Sequence, residues 1–261
     1  MDLLKALEAL KGQGILLKMR DGLADGYVFT PEGSGPWPAI IFFMDAFGIR
    51  PELFEMAHRL SQQGYYVMLP NLFYRTPFDP FDPIDVFKNP SEKNRLMGVI
   101  RSVTTDMVMR DTGVFLNDLK QQPLVNHQKI GCVGYGMGGT FALLTAGCYP
   151  DRIGAASVIH ASSLATGRPD SPHLLAKHIR AKLYFAIAEN DQNFPAAEKS
   201  RLESALKDAG VDYLAEIYGN LQQGFALKGT PAYNEPASEQ LWEKLFDHFK
   251  ATLAGADTAA A

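Results

Sequence analysis

Cysteine is scarce in this chain: Cys132 and Cys148 are the only two among 261 residues. Each sits inside an apolar segment, so two buried free thiols in a reducing compartment are expected in place of a disulfide framework. Charge of one sign is also lacking, since 25 basic against 29 acidic residues leave −4 and no dense basic run. Nucleic acid and membrane surfaces are therefore poor partners, and a small-molecule ligand or substrate is the better expectation. The start, Met-Asp-Leu-Leu-Lys-Ala-Leu, has an acidic second residue and no long apolar core, which fits neither a signal peptide nor a transmembrane helix. These absences describe a cytoplasmic protein; monomer and homodimer both stay open. No His/Cys/Asp spacing suggests a metal site, and no glycine loop is followed by the Lys-Ser/Thr of a phosphate cradle. No metal and no cofactor are expected.

What is present is enough for a full core, with 46% hydrophobic and 11% aromatic residues. Leu3, Leu4, Ala6, Leu7 and Leu10 recur at helical spacing up to Gly12. Short strands are predicted at Ile15–Met19 and Gly26–Phe29, and the run Ala39–Met44 is too continuous for a strand exposed on one face. A helix over Glu52–Gln63 and a strand over Tyr65–Leu69 complete a strand–helix–strand unit, which implies a right-handed crossover and a parallel sheet. Asn71–Pro90 is rich in Pro, Phe and Asp without periodicity, so 71–103 reads as a candidate lid or binding loop followed by a helix. Helices are predicted over Ser91–Val103, Asp106–Leu119, His173–Ile179, Ala196–Ala209 and Ser238–Leu253, and strands over Lys129–Gly134, Ala155–His160, Ala181–Ala188 and Tyr213–Tyr218. The pattern describes a single α/β domain over 1–261, with a mostly parallel central sheet, helices on both faces and a disordered tail at 255–261.

Lys129–Thr140 organises the rest. An apolar run, Ile130, Cys132 and Val133, breaks into a glycine-dense turn and then an apolar helical segment, the signature of a strand–nucleophile elbow–helix unit. Between the flanking Gly134 and Gly138, where such elbows carry Ser, Cys or Asp, stands Gly136. The chain resembles the dienelactone hydrolase family, within the α/β-hydrolase fold, at Asp45-Ala-Phe-Gly48, Gly134-Tyr-Gly-Met-Gly-Gly139, Pro169-Asp-Ser-Pro-His173, Ala188-Glu-Asn-Asp191 and Gly224-Phe225, with Pro231 and Tyr233 beyond. The resemblance runs from about Gly14 to Leu253. It implies a cysteine where this chain has Gly136, an acid at Asp191, and a histidine where this chain has Gln223. Glycine has nothing with which to attack a carbonyl, and a carboxamide does not shuttle protons near neutral pH. The acyl-enzyme route to ester or lactone hydrolysis is therefore not expected.

Each remaining candidate has two readings. Asp191 is a working acid or base, or only a partner for Gln223 and backbone. Asp45, where the resemblance places an acidic residue controlling the thiol, is a pocket residue or a turn and capping residue. His160 lies near the pocket or is structural, and Tyr135 borders the elbow or merely packs. Backbone donors of Met137 and Ala46, flanked by Phe47, form an oxyanion site that no side-chain loss removes, with Gln223 and Phe225 completing the substrate-binding set. Cys132 reads as core, Ser162 and Ser163 as a weak substitute pair, and His127, His178 and His248 as polar-surface residues. Three functions stay open: a non-covalent acid/base enzyme (isomerase, cyclase, lyase or hydratase type) on a small carbonyl or carboxylate compound; a non-catalytic binding homologue; and an inactivated variant of an ester or lactone hydrolase.

Overall fold

The computed structural model of the chain describes residues 3–126 and 128–253, so the tail expected at 255–261 and His127 lie outside it. The chain opens with α1 (Leu3–Ala9) and a hairpin, β1 (Gln13–Met19) and β2 (Gly22–Phe29). The hairpin is longer than the sequence predicts because β1 pairs with β2 as far as Met19 opposite Gly22, drawing the polar Asp25-Gly26 stretch into the ladder. Pairing here overrides weak strand propensity.

The parallel part follows. β3 (Ala39–Phe43), α2 (Pro51–Ser61) and β4 (Tyr66–Pro70) form the first crossover unit. Then come α3 (Pro83–Lys88), α4 (Pro90–Arg101), α5 (Thr105–Gln121), β5 (Ile130–Tyr135), α6 (Met137–Cys148), β6 (Ile153–Ile159), a short 3₁₀ helix at Pro172–His178, β7 (Lys182–Ala188), α7 (Ala196–Asp208), β8 (Tyr213–Tyr218) and α8 (Glu235–Leu253). The 8-stranded sheet has the order β1-β2-β4-β3-β5-β6-β7-β8. β2 alone runs against the other strands, pairing antiparallel with both β1 and β4. Every residue of β3, β4, β5 and β6 is buried, as continuous apolar runs demand in the middle of a two-sided sheet.

Helices cover both faces. α2 and α8 pack on one side, α5 and α6 on the other. α2 presents Leu53, Phe54, Met56, Ala57 and Leu60 inward from one face, whereas α6 is apolar nearly all round and buried along its length. α3 is a correction to the aperiodic reading of 71–90. Its signal is local: the Asp82 carboxylate caps the amide of Ile84, and Pro83 opens the first turn. Two further expectations fail on burial. Cys148 ends α6 exposed, and His248, expected on a polar face, is buried against Tyr184 and Phe249. Among the described residues no helix is long and apolar enough to cross a membrane.

Candidate functional site at the end of β5

The carboxyl ends of β3, β5, β6, β7 and β8 point the same way, and open α/β sheets bind ligands there. β5 turns into α6 through glycines that have little choice. A Cβ on Gly138 would lie 2.4 Å from the Phe43 carbonyl oxygen, and one on Gly134 would lie 2.1 Å from the Gly138 backbone. Between them Gly136 takes φ 54° and ψ −117°, a conformation side chains rarely adopt. Its amide donates to the Ile159 carbonyl at 2.9 Å and its carbonyl accepts from Gly139 at 3.1 Å. A Cβ built on Gly136 would meet nothing within 4 Å. This is where an elbow side chain would stand clear, and the chain puts none there.

Two amides near that turn are unengaged. The amides of Met137, at the first position of α6, and of Ala46 in the loop after β3 make no hydrogen bond to the described residues. The next amide, Phe47, is already taken by Asp45 Oδ1 at 2.8 Å. Phe47, Ala46 and Met137 are all half-buried. The start of a 12-residue helix adds a favourable potential for a partly negative oxygen.

Asp45 is held as a buried ion pair. Arg50 Nη1 and Nη2 donate to its two carboxylate oxygens, each at 2.8 Å, and both side chains are nearly inaccessible. Burial works against the Arg50 charge, but Asp45 and Glu52 outweigh it and leave its pKa above the ordinary value. Arg50 also donates to the Gly48 carbonyl at 3.2 Å, so the pair fixes the turn that carries the Ala46 amide.

His160 follows β6 directly with φ 35°, uncommon outside glycine, and is 2% exposed. Neither ring nitrogen has a hydrogen-bond partner among the described residues. Burial drives its pKa down to about 4 against the weaker upward pulls of its own backbone and of Asp45, so the imidazole is neutral at pH 7. Its ring is edge-on to Tyr135 at 5.7 Å and to Phe225 at 5.5 Å. Tyr135 is 1% exposed, its hydroxyl has no hydrogen-bond partner among the described residues, and burial pushes the phenol far up. Phe225 is fully buried and stacks on Tyr218 at 4.8 Å.

The third arm comes from the ends of β7 and β8. Asp191 is 7% exposed, and its Oδ1 accepts from the Asn193 amide at 2.8 Å. Burial raises its pKa, only partly offset by the backbone amides of Asn193 and Phe194. Gln223 makes no hydrogen bond to Asp191. Its Oε1 accepts from Asn193 Nδ2 at 2.7 Å and its Nε2 donates to the His160 carbonyl at 3.2 Å. Asn193 and Arg50 are the two site residues that sequence reasoning passes over. The first sits two residues after Asp191 in an Asx turn, a pattern that can be read; the second is five residues and a turn away from Asp45, and pairing at that distance leaves no local signal.

Phe81 donates its amide to the Phe47 carbonyl at 3.1 Å, which ties the 71–90 segment to the loop after β3. Phe73, Phe78 and Phe81 pack in series, at 5.4 and 5.3 Å between rings. Cys132 is buried in β5 and its thiol lies 3.5 Å from the Ala142 carbonyl, with burial raising its pKa. The carbonyl of Ser162 accepts the Thr140 hydroxyl at 2.9 Å, and His178 is exposed. Among the described residues no group of three or more His, Cys, Asp or Glu is arranged to hold a metal ion.

The model of the Dienelactone hydrolase family matches residues 24–253. A protein of Methylorubrum extorquens provisionally named a carboxymethylenebutenolidase is 24% identical over 240 residues, covering 90% of this chain and 79% of the relative. The hydrolase PyvD of Aspergillus violaceofuscus is 27% identical over 219 residues, covering 83% and 80%. Among solved structures, a provisionally assigned dienelactone hydrolase from Klebsiella pneumoniae superposes with a TM-score of 0.78 at 18% identity, over 91% of this chain and 97% of that one.

Proposed function

We propose, from the premise that the chain belongs to the dienelactone hydrolase family, that it acts at the β5–α6 turn without a covalent intermediate. It holds a small carbonyl or carboxylate compound against the amides of Ala46 and Met137, and Asp191 moves a proton on it. The observation that carries this reading is the open space over Gly136, with two unengaged amides near it and no side chain on the elbow residue. The butenolide in the Methylorubrum relative's name is itself a small carbonyl compound.

Roles follow from the surroundings of each group. An oxyanion site needs donors aimed in advance, and the backbone supplies them here. Asp191 is the acid/base candidate, because burial moves its pKa toward neutrality, where a carboxyl exchanges protons most effectively. Asp45 is a positioning residue, since Arg50 occupies both its oxygens. His160, neutral and unpartnered in a strained conformation, supplies a second group whose cost in stability suggests use. Reactions of isomerase, cyclase, lyase or hydratase type fit this set; acyl-enzyme hydrolysis does not, with Gly136 and Gln223 in place of a nucleophile and its base. Residues 71–103 serve as the cover. One observation favours a binding protein as the second reading: Gln223 is fastened at both ends by hydrogen bonds and closes the gap where a base would work.

A thermal-shift screen of small carbonyl and carboxylate metabolites supplies ligands, and turnover is then measured on wild type and Asp191→Asn. The expected result is retained binding with turnover reduced by about a hundredfold or more. Unchanged turnover removes Asp191 from its role, and a ligand that binds without reacting selects the binding-protein reading.

A further inference from the structure

A cleft of 290 Å³ opens between α2 and α8, on the face of the sheet opposite α6, and the reaction proposed above makes no use of it. We infer that this cleft binds a short aliphatic diamine. α2 lines it with Glu52, Glu55, Met56 and Arg59, at the i, i+3, i+4, i+7 spacing of a single helix face. α8 does the same with Glu235, Ser238, Glu239 and Trp242, and the loop before α8 adds Lys228.

The charges there do not balance. Four glutamates stand against two cations, and both cations are already taken. Arg59 donates to Glu239 through two nitrogens, at 2.7 and 2.6 Å, and lies 4.7 Å from the Trp242 ring centroid; Lys228 pairs with Glu55 at 3.3 Å. Glu235 has no ion pair among the described residues. Glu52 reaches only Arg50 Nε, at 3.6 Å, on a guanidinium whose other two nitrogens are bound to Asp45. Both glutamates sit in the first turn of a helix, where a carboxylate complements the dipole, but that does not account for the group beside them. Ser238 is 3% exposed, and its hydroxyl makes no hydrogen bond to the described residues although the residue borders the cleft. A hydroxyl buried this deeply is ordinarily partnered, and here the side left open is the cleft.

Excess carboxylate in a walled cleft concentrates cations. A metal ion does not fit, because among the described residues no three His, Cys, Asp or Glu side chains are arranged to hold one. An ammonium group carries three donors and needs acceptors, which Glu52, Glu235 and the Ser238 hydroxyl supply. Met56, Ala226 and Trp242, all buried, offer apolar wall to a methylene chain. The volume lies at the lower end for small-molecule pockets, which selects a short chain. Two uncommitted carboxylates, one from each helix, select two ammonium groups over one.

The test is calorimetric titration of the full chain, at low ionic strength, with 1,4-diaminobutane, n-butylamine and magnesium chloride. The diamine is expected to bind about tenfold or more tightly than either of the others. Glu235→Gln should weaken the diamine about tenfold and Ser238→Ala about three- to tenfold, with both variants still melting cooperatively. Glu243→Gln removes the same charge from an exposed position of α8 outside the cleft and should leave binding unchanged. Equal weakening by Glu243→Gln would reduce the signal to surface charge and overturn the site, and undiminished binding by Glu235→Gln and Ser238→Ala would place the amine elsewhere. Magnesium binding as tightly as the diamine would overturn the choice of an amine, and butylamine binding as tightly would overturn the two-point contact. No binding of the diamine overturns the inference outright.

Discussion

The two halves of the site are built from different materials. At the end of β5 the geometry is made of backbone: glycines pressed against Phe43 and against each other, and amides aimed by the turn itself. At the ends of β6, β7 and β8 it is made of side chains, a relay from Asp191 through Asn193 and Gln223 to the His160 carbonyl. Close backbone packing fixes the first half whatever residue 136 is, so losing a side chain there empties the turn without reshaping it. Hydrogen bonds fix the second half, and a changed side chain is absorbed by new partners. On our reading this is how the chain holds a carbonyl at a turn that carries no side chain at residue 136.

The largest expected effect tests the backbone half. Gly138→Ala drives a Cβ to 2.4 Å from a strand carbonyl, and should cost about 3 kcal/mol or more in urea denaturation, or prevent folding. Gly136→Ala meets open space and should lose only the conformational cost, about 1–2 kcal/mol. Equal losses would erase the distinction between the two glycines. Next comes Asp45→Asn, which leaves the buried Arg50 only its longer contact with Glu52, at 3.6 Å, and should cost about 3 kcal/mol by the same measurement. A negligible loss would mean that the ion pair does not hold the donor loop.

The side-chain half should show in the pH dependence. Burial holds the folded pKa of His160 and of His248 at about 4, below the ordinary 6.5, so the unfolded chain binds more protons in that window. Stability is therefore fully present above about pH 6.5 and falls as pH drops toward 4, by on the order of 1 kcal/mol per unit for each histidine. His160→Gln should flatten the slope of denaturation midpoint against pH. An unchanged slope would place the titration elsewhere. The smallest effect has the opposite sign to most substitutions. The raised pKa of Asp191 means that its charge is a burden in the fold above the ordinary carboxylate range, so Asp191→Asn should leave stability unchanged or slightly improved at pH 7. A clear loss of stability would make Asp191 a structural residue rather than a functional one.

Much of this was legible from composition and spacing. Continuous apolar runs placed β3, β4, β5 and β6, and the glycine pattern placed the elbow within a residue, because burial on both faces and close backbone approach each leave a mark in consecutive residues. α3 leaves no periodic signal, since its six residues carry a cap and a proline but no full apolar period. Partners were the other gap. That Arg50 neutralises Asp45, and that Asn193 intervenes between Asp191 and Gln223, depends on how loops fold back over the sheet end. His248 read as polar surface because one histidine in a helix says nothing about which face tertiary packing will cover.

The central claim is that chemistry at this turn proceeds without a nucleophile at residue 136, and hydrolysis of p-nitrophenyl acetate by wild type and by Gly136→Cys/Gln223→His tests it most directly. The account predicts background rates for wild type and a recovered esterase, with an initial burst of nitrophenol, in the double variant, where the new thiol projects into the open space over the elbow. Steady turnover by the wild-type chain at rates matching the double variant would contradict it.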